Sequence, residues 1–392
     1  MTFPPLSLYL HFPWCVQKCP YCDFNSHQLR EELPEQRYID ALAADLVAQA
    51  QRVAGREIVS IFMGGGTPSL FSPAALSGLL DTVRAQLQMA PDAEVTLEAN
   101  PATVERGRFA EYRAIGINRV SLGAQSFNSH TLRVLGRIHQ PSDVLRAAEE
   151  LHACGLSNFN LDLMYALPAQ SLAGALADVT DALQLQPAHL SHYQLTLEPG
   201  TVFAAQPPPL PDDDLAWSMQ AECQGLLAAS GFAHYEVSAY ARPGRKCVHN
   251  LNYWGNGDYL GVGAGAHGKL TSGTESGAGL RVVRSTHLRE PRRYFASCAG
   301  GPQWRNVPAA DLPFEFMMNA LRLGEGFSLA LFSARTGLSE AVIQPALQQL
   351  ARDGLMQADK GRWQATARGQ TYLNEVIQRF LPEPNSQAGA SS

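Results

Sequence analysis

The sequence predicts an α/β protein: an incomplete, six-stranded (β/α)6 barrel followed by a mainly helical C-terminal unit. Six short apolar runs, rich in β-branched or aromatic residues, recur between residues 7 and 197. Helix-like stretches separate them, and such alternation implies a parallel sheet with right-handed crossovers. Beyond residue 312 the texture changes to short helical repeats and one hairpin-like stretch. A doubly wound open sheet satisfies the same alternation, because strand order is not written in the sequence.

The strand-like runs are SLYLHF (7–12), IVSIFM (58–63), EVTLEA (94–99), RVSLGA (119–124), FNLDLM (159–164) and LSHYQLTL (190–197). Several are almost continuously apolar, as strands buried on both faces are. Between them, Ile39, Leu42 and Leu46 share one helical face, as do Val144, Ala148 and Leu151. Ser142 is the expected start cap of the latter helix and Gly155 its stop. QPPPLPDDD (206–214) reads as a stiff linker whose acidic end suits the start of a helix. The expected organisation is a barrel core over 1–230, an irregular Gly-, Tyr- and His-rich segment over 231–305, a winged-helix-like unit over 306–380 and a disordered tail over 381–392.

A hydrophobic content of 45% with 17% charged residues is that of an ordinary globular protein. The net charge of −6 argues against a nucleic-acid binder, and no apolar run is long enough for a membrane span. MTFPPLSLYLHFPWC lacks a basic leader and does not read as a signal peptide. Seven cysteines, three of them clustered, favour a reducing cytoplasm and a thiolate metal site over a disulfide framework.

The cluster is Cys15, Cys19 and Cys22, in the loop after the first strand. In barrels and open sheets that strand end is the ligand-binding face. A structural zinc would need a fourth ligand from His11, Asp23 or His27. A [4Fe–4S] cluster held by three thiolates would keep one iron open for a ligand. The glycines of MGGGTPS (63–69) allow close backbone approach after the second strand. Glu98, Gln125, Arg137 and Asp162 follow on or near later strand ends. Charges on apolar strands must face a polar pocket or a cation, so these groups form a polar rim.

The spacing C-x3-C-x2-C with Tyr21 before the last cysteine resembles the signature of radical S-adenosylmethionine (SAM) proteins. In order, Tyr9, the YLHFPWC stretch, Cys15, Cys19, Tyr21, Cys22, GGGTP, Glu98, Gln125, Arg137 and Asp162 resemble the family of oxygen-independent coproporphyrinogen III dehydrogenase and its relatives, over nearly the whole chain. The resemblance implies a radical SAM barrel and a [4Fe–4S] cluster on the three cysteines. It also implies SAM held by Tyr9, Tyr21, Gly66, Thr67, Glu98, Gln125, Arg137 and Asp162.

Two features separate this chain from the dehydrogenase. That enzyme resembles C-x3-C-x2-C-x-C, and here the fourth position is Phe24. Residues 249–254, HNLNYW, resemble the H-N-x-x-Y-W motif of HemW-type haem chaperones. That branch implies haem at His249, Asn250, Tyr253 and Trp254. His249 would be an axial iron ligand, and the two aromatic residues would flank the macrocycle. His267 is a second ligand candidate. The expected function is therefore a haem carrier that passes haem to an acceptor such as a respiratory or iron-storage haemoprotein. The alternatives are oxidative decarboxylation of coproporphyrinogen III through a SAM-derived radical, and a zinc-stabilised winged-helix regulator.

Overall fold

The computed structural model describes residues 3–102, 107–273 and 279–382. From residue 383 onward, the expected tail lies outside the described residues. Strands β1 (Leu6–Phe12), β2 (Glu57–Gly65), β3 (Gln88–Ala99), β4 (Arg119–Gln125), β5 (Phe159–Tyr165) and β6 (His189–Gln194) run parallel, each paired with the next. The crossovers carry α1 (Glu35–Ala50), α2 (Pro73–Gln86), α3 (Arg108–Ala114), α4 (Pro141–Ala153) and α5 (Leu172–Gln184).

Alternation sorts β1 into two faces. Leu6, Leu8, Leu10 and Phe12 are buried in the main core with Leu42 and Leu46 of α1, which leaves Ser7, Tyr9 and His11 on the other face. Helix α4 starts two residues earlier than expected, with Gln140 and not Ser142 at the cap. Pro141 occupies the first helical position, which suits its fixed φ, and the Gln140 N–H donates to Asp143 Oδ2 at 2.8 Å. Ser142 is thus inside the helix, while Gly155, at φ +77°, ends it as expected. Asp212 caps α6 (Asp213–Ala229) through the Leu215 N–H.

Residues 231–305, expected to be irregular, instead contribute several strands to the main sheet. They supply β7 (Ala233–Glu236), β8 (Ala239–Ala241), helix α7 (Val248–Trp254), β9 (Asp258–Val262), β10 (His267–Gly273), β11 (Leu280–Thr286) and most of β12 (Gln303–Asn306). One twelve-stranded sheet results, in the order β12-β11-β10-β9-β1-β2-β3-β4-β5-β6-β8-β7. β9 joins β1 in parallel, with Leu6 opposite Asp258, and becomes a seventh parallel strand. These strands lack a clear period because glycine is required where backbones close in. A Cβ on Gly261 would collide with the His267 carbonyl.

Buried Asp45 of α1 binds this extension to the barrel. It accepts from the Tyr294 hydroxyl at 2.7 Å and the Gly263 N–H at 3.1 Å.

The C-terminal region packs α8 (Leu312–Ala320), α9 (Leu329–Thr336) and α10 (Gln344–Arg352) around a core of its own that includes Phe316, Phe327, Phe332, Leu347 and Leu350. The hairpin β13 (Met356–Asp359) and β14 (Arg362–Ala365) turns at Lys360 and Gly361, both at positive φ, as a two-residue hairpin loop prefers. Arg284 on β11 pairs with Glu315 on α8 at 2.8 Å, and Arg335 donates to the Gly255 carbonyl at 3.1 Å. Among the described residues, no helix is long and apolar enough to cross a membrane.

Candidate functional site

The carboxyl ends of β1 to β6 surround a cavity of about 340 Å³. Cys15, Cys19, Cys22, Tyr21, Gly66, Thr67, Glu98, Gln125, Arg137 and Asp162 all line it. Arg137 donates to the Cys19 sulfur at 3.7 Å, and the Ser26 hydroxyl lies 3.6 Å from the Cys22 sulfur. Burial raises the Cys15 thiol, and a hydrogen bond from Thr67 opposes that shift. Three thiols, each beside a polar group, match the donor chemistry of an iron–sulfur cluster. The zinc arrangement fits less well. His11, a candidate fourth ligand, already has Nδ1 3.0 Å from the Tyr9 hydroxyl and Nε2 2.9 Å from the Asn25 carbonyl.

Gly66 and Thr67 line the cavity, and their backbone also holds the cysteine loop. The N–H groups of Gly66 and Thr67 are already used, donating to the Phe12 and Trp14 carbonyls at 2.7 and 2.8 Å. They fasten the turn to the cysteine loop. A Cβ on Gly66 would sit 2.6 Å from the Trp14 oxygen, so only glycine permits this contact. Gly65, at φ +111°, turns its N–H onto Glu98 Oε2 at 3.0 Å.

Glu98 and Asp162 have no ion-pair partner among the described residues. Burial, and then the repulsion of Asp162, pushes Glu98 up to about 8. Burial also raises Asp162, against hydrogen bonds from Asn160, Ser191 and Ser121. Two carboxyls held this way call for a cationic ligand. Arg137 stays firmly protonated: burial works against its charge, but Tyr21 and Cys19 outweigh that. Its Nε has no partner. Gln125 adopts φ +66° where β4 shifts register, and it accepts from the Tyr193 hydroxyl at 2.9 Å. Sequence reasoning missed Tyr193. Its signal is the alternation Ser191-x-Tyr193 at the end of β6.

A second cavity, of about 630 Å³, adjoins the first; Phe24, Gly65 and Glu98 line both. Tyr9, expected with the SAM residues, lines this larger cavity and not the smaller one. β1 is the strand at which the barrel meets the extension, paired with β2 on one side and β9 on the other. Tyr253, Trp254 and Tyr259 form an aromatic wall, Met318 and Asn319 of α8 add a side, and Lys269, Arg284 and Arg289 supply positive charge. Phe24 is exposed.

The residues of the H-N-x-x-Y-W stretch are divided by the fold. Tyr253 and Trp254 reach the larger cavity, but His249 and Asn250 line neither. His249 is 1% exposed, and its Nδ1 lies 3.0 Å from the Ser60 hydroxyl. Its ring stacks on Phe62 at 4.9 Å and meets Tyr253 edge-on at 4.6 Å. Burial lowers it to about 3, and its Nε2 has no partner. Glu94 fixes the start of α7 by accepting from the N–H groups of Val248 and His249 at 3.1 and 3.2 Å.

A parallel barrel with three thiols at its first strand end and a carboxylate-lined cavity beside them defines a radical SAM protein. The chain matches the radical SAM superfamily over residues 9–178 and the HemN C-terminal domain over residues 307–372. It is 50% identical over 383 residues to the haem chaperone HemW of Escherichia coli strain K12, covering 98% of this chain and 100% of that one. The haem chaperones HemW of Haemophilus influenzae and Mycobacterium tuberculosis H37Rv are 46% and 37% identical. Those matches cover 97% of this chain, and 99% and 96% of theirs. Among solved structures, coproporphyrinogen III oxidase (HemN) from Escherichia coli, a radical SAM enzyme, superimposes with a TM-score of 0.81 at 25% identity, covering 96% and 90% of the two chains. The chain belongs to the HemW family of radical SAM proteins.

Proposed function

We propose that this protein is a haem chaperone that binds haem in the 630 Å³ cavity and passes it to an acceptor protein. The observation that carries this reading is the composition of that cavity: aromatic residues, Lys269, Arg284 and Arg289, and residues shared with the thiol-lined cavity. A flat dianionic macrocycle needs apolar faces for its ring and positive groups for its carboxylates. Tyr253 and Trp254 offer the faces. The buried Nε1–H of Trp254 has no acceptor of its own.

In this reading Cys15, Cys19 and Cys22 hold a [4Fe–4S] cluster, whose open iron takes the amino-acid end of SAM. Glu98 and Asp162 face the positive charge of SAM, while Tyr21, Gln125 and Arg137 border it. Thr67 and Gly66 serve by seating the cysteine loop. Glu98 borders both ligands, and Tyr9 borders the haem side, so occupancy of one site bears on the other. His249 and Asn250 belong to the helix that presents Tyr253 and Trp254. The unpartnered Nε2 of His249 lies behind that wall. The acceptor is a haem-binding protein of the same compartment, such as a respiratory or iron-storage haemoprotein, and the compartment is the cytoplasm.

Phe24 separates this reading from oxidative decarboxylation of coproporphyrinogen III, because it leaves the fourth position of the dehydrogenase pattern without a thiol. Expression in a strain lacking the oxygen-independent dehydrogenase tests the choice. The chaperone reading expects no rescue of anaerobic growth, and rescue would overturn it.

A further inference from the structure

Within the haem-chaperone reading, we infer that His267, at the start of β10, supplies the imidazole that meets the haem iron, and that Arg289 anchors a haem carboxylate.

The histidines around the larger cavity differ in what their ring nitrogens are free to do. His11 lines the cavity but has both nitrogens engaged, by Tyr9 and by the Asn25 carbonyl. His249 does not line it. Its ring packs against Tyr9, at 6.4 Å, and Tyr253, at 4.6 Å between ring centres, both of which line the cavity. His267 lines the cavity and is exposed. Its only hydrogen-bond contact among the described residues is from Nδ1 to the Thr286 hydroxyl, at a long 3.5 Å. Nε2 is left without a partner, and a neutral imidazole nitrogen open to a cavity is what haem ligation requires.

The cations of the wall sort in the same way. Lys269 is fully buried and spent on Asp258 at 3.3 Å and the Asn256 carbonyl at 3.0 Å. Arg284 is spent on Glu315 and on the Tyr259 hydroxyl at 3.0 Å. Arg289 is exposed, has no ion-pair partner among the described residues, and makes one long side-chain contact, 3.5 Å to Asn25 Oδ1. Arg289 is therefore the cation of this wall available to a carboxylate, and it sits with His267 on the same cavity. Strand pairing fixes His267 by setting it opposite Thr286, three residues before Arg289.

The test is a haem titration of the full chain, reconstituted anaerobically with iron and sulfide, followed by absorption and electron paramagnetic resonance. Iron and sulfide content reports retention of the fold in each variant. The expected result is that His267→Ala loses the imidazole-ligated haem signature, and that added free imidazole restores it. His249→Ala should keep the signature. Arg289→Ala should weaken haem binding roughly five- to tenfold without changing the spectrum, while leaving binding of haem dimethyl ester unaffected. If His267→Ala keeps the wild-type spectrum while wild type binds haem, the inference is wrong and the chaperone reading survives. If Arg289→Ala weakens haem and its diester alike, the carboxylate assignment is wrong. If wild type binds no haem, the reading beneath both fails.

Discussion

If Glu98 faces SAM as proposed, SAM binding becomes a function of pH. Burial and the neighbouring Asp162 hold its carboxyl at about 8 in the free protein. Below that pH it is neutral, and a cationic ligand must drive off a proton to gain a charged partner. Affinity therefore rises with pH, by up to tenfold per unit, and levels off above about 8. Between pH 6.5 and 8.5 the expected gain is about 25-fold, or about 1.9 kcal/mol. Glu98→Gln removes this dependence. The ligand's own amine titrates in both proteins, so the difference between wild type and variant is the readout. Calorimetry of the reconstituted protein in buffers of different ionisation enthalpy measures affinity and proton release together. Near pH 7, wild type should release about one proton more than the variant. The same shift sets a stability sign. The carboxyl's favourable contribution is complete below its ordinary range near 4.5 and is lost as pH rises through 8. A melting-temperature advantage of Glu98→Gln should therefore grow from pH 5 to pH 9. Identical pH profiles for the two proteins would refute the account of this carboxylate.

Three substitutions probe the architecture around the site. Gly66→Ala places a methyl 2.6 Å from the Trp14 carbonyl, an overpacking cost of about 1–3 kcal/mol. Displacement of the cysteine loop should appear as low iron and sulfide content after reconstitution. Glu94→Ala strips the N–H partners from the start of α7 and leaves Arg119, 2% exposed and 3.8 Å away, without its ion pair. The expected loss is about 3–5 kcal/mol, seen as a lower melting temperature, with Glu94→Gln less severe. Trp254→Phe keeps an aromatic face but removes the unpartnered Nε1–H. Haem affinity should fall roughly five- to tenfold in an equilibrium titration, and SAM affinity should not change.

The barrel was legible because its six parallel strands are buried on both faces and read as apolar runs with helical spacing between them. The thiols and polar rim were legible for a related reason: the ends of parallel strands form one face, so order along the chain maps onto position around the mouth. Three features escaped. The parallel pairing of β9 with β1 joins residues some 250 positions apart, Leu6 with Asp258, and no local period records that. The N–H groups of Gly66 and Thr67 go to the Phe12 and Trp14 carbonyls, a pairing across the site that the glycine run does not record. His249 is a ligand candidate by motif, but no sequence pattern records that it packs against Tyr253 without lining the cavity that His267 lines. Motif residues next to each other on a helix turn point different ways, so HNLNYW divides between support and surface.

The central claim is that the larger cavity carries haem for delivery and does not decarboxylate a porphyrinogen. Its most direct test loads the anaerobically reconstituted protein with haem and mixes it with the haem-free form of a respiratory or iron-storage haemoprotein. The same preparation is offered coproporphyrinogen III with SAM and a reductant. The account predicts that the Soret band moves to that of the acceptor and that coproporphyrinogen III is recovered unchanged. Carbon dioxide released from coproporphyrinogen III, with no haem bound or transferred, would contradict it.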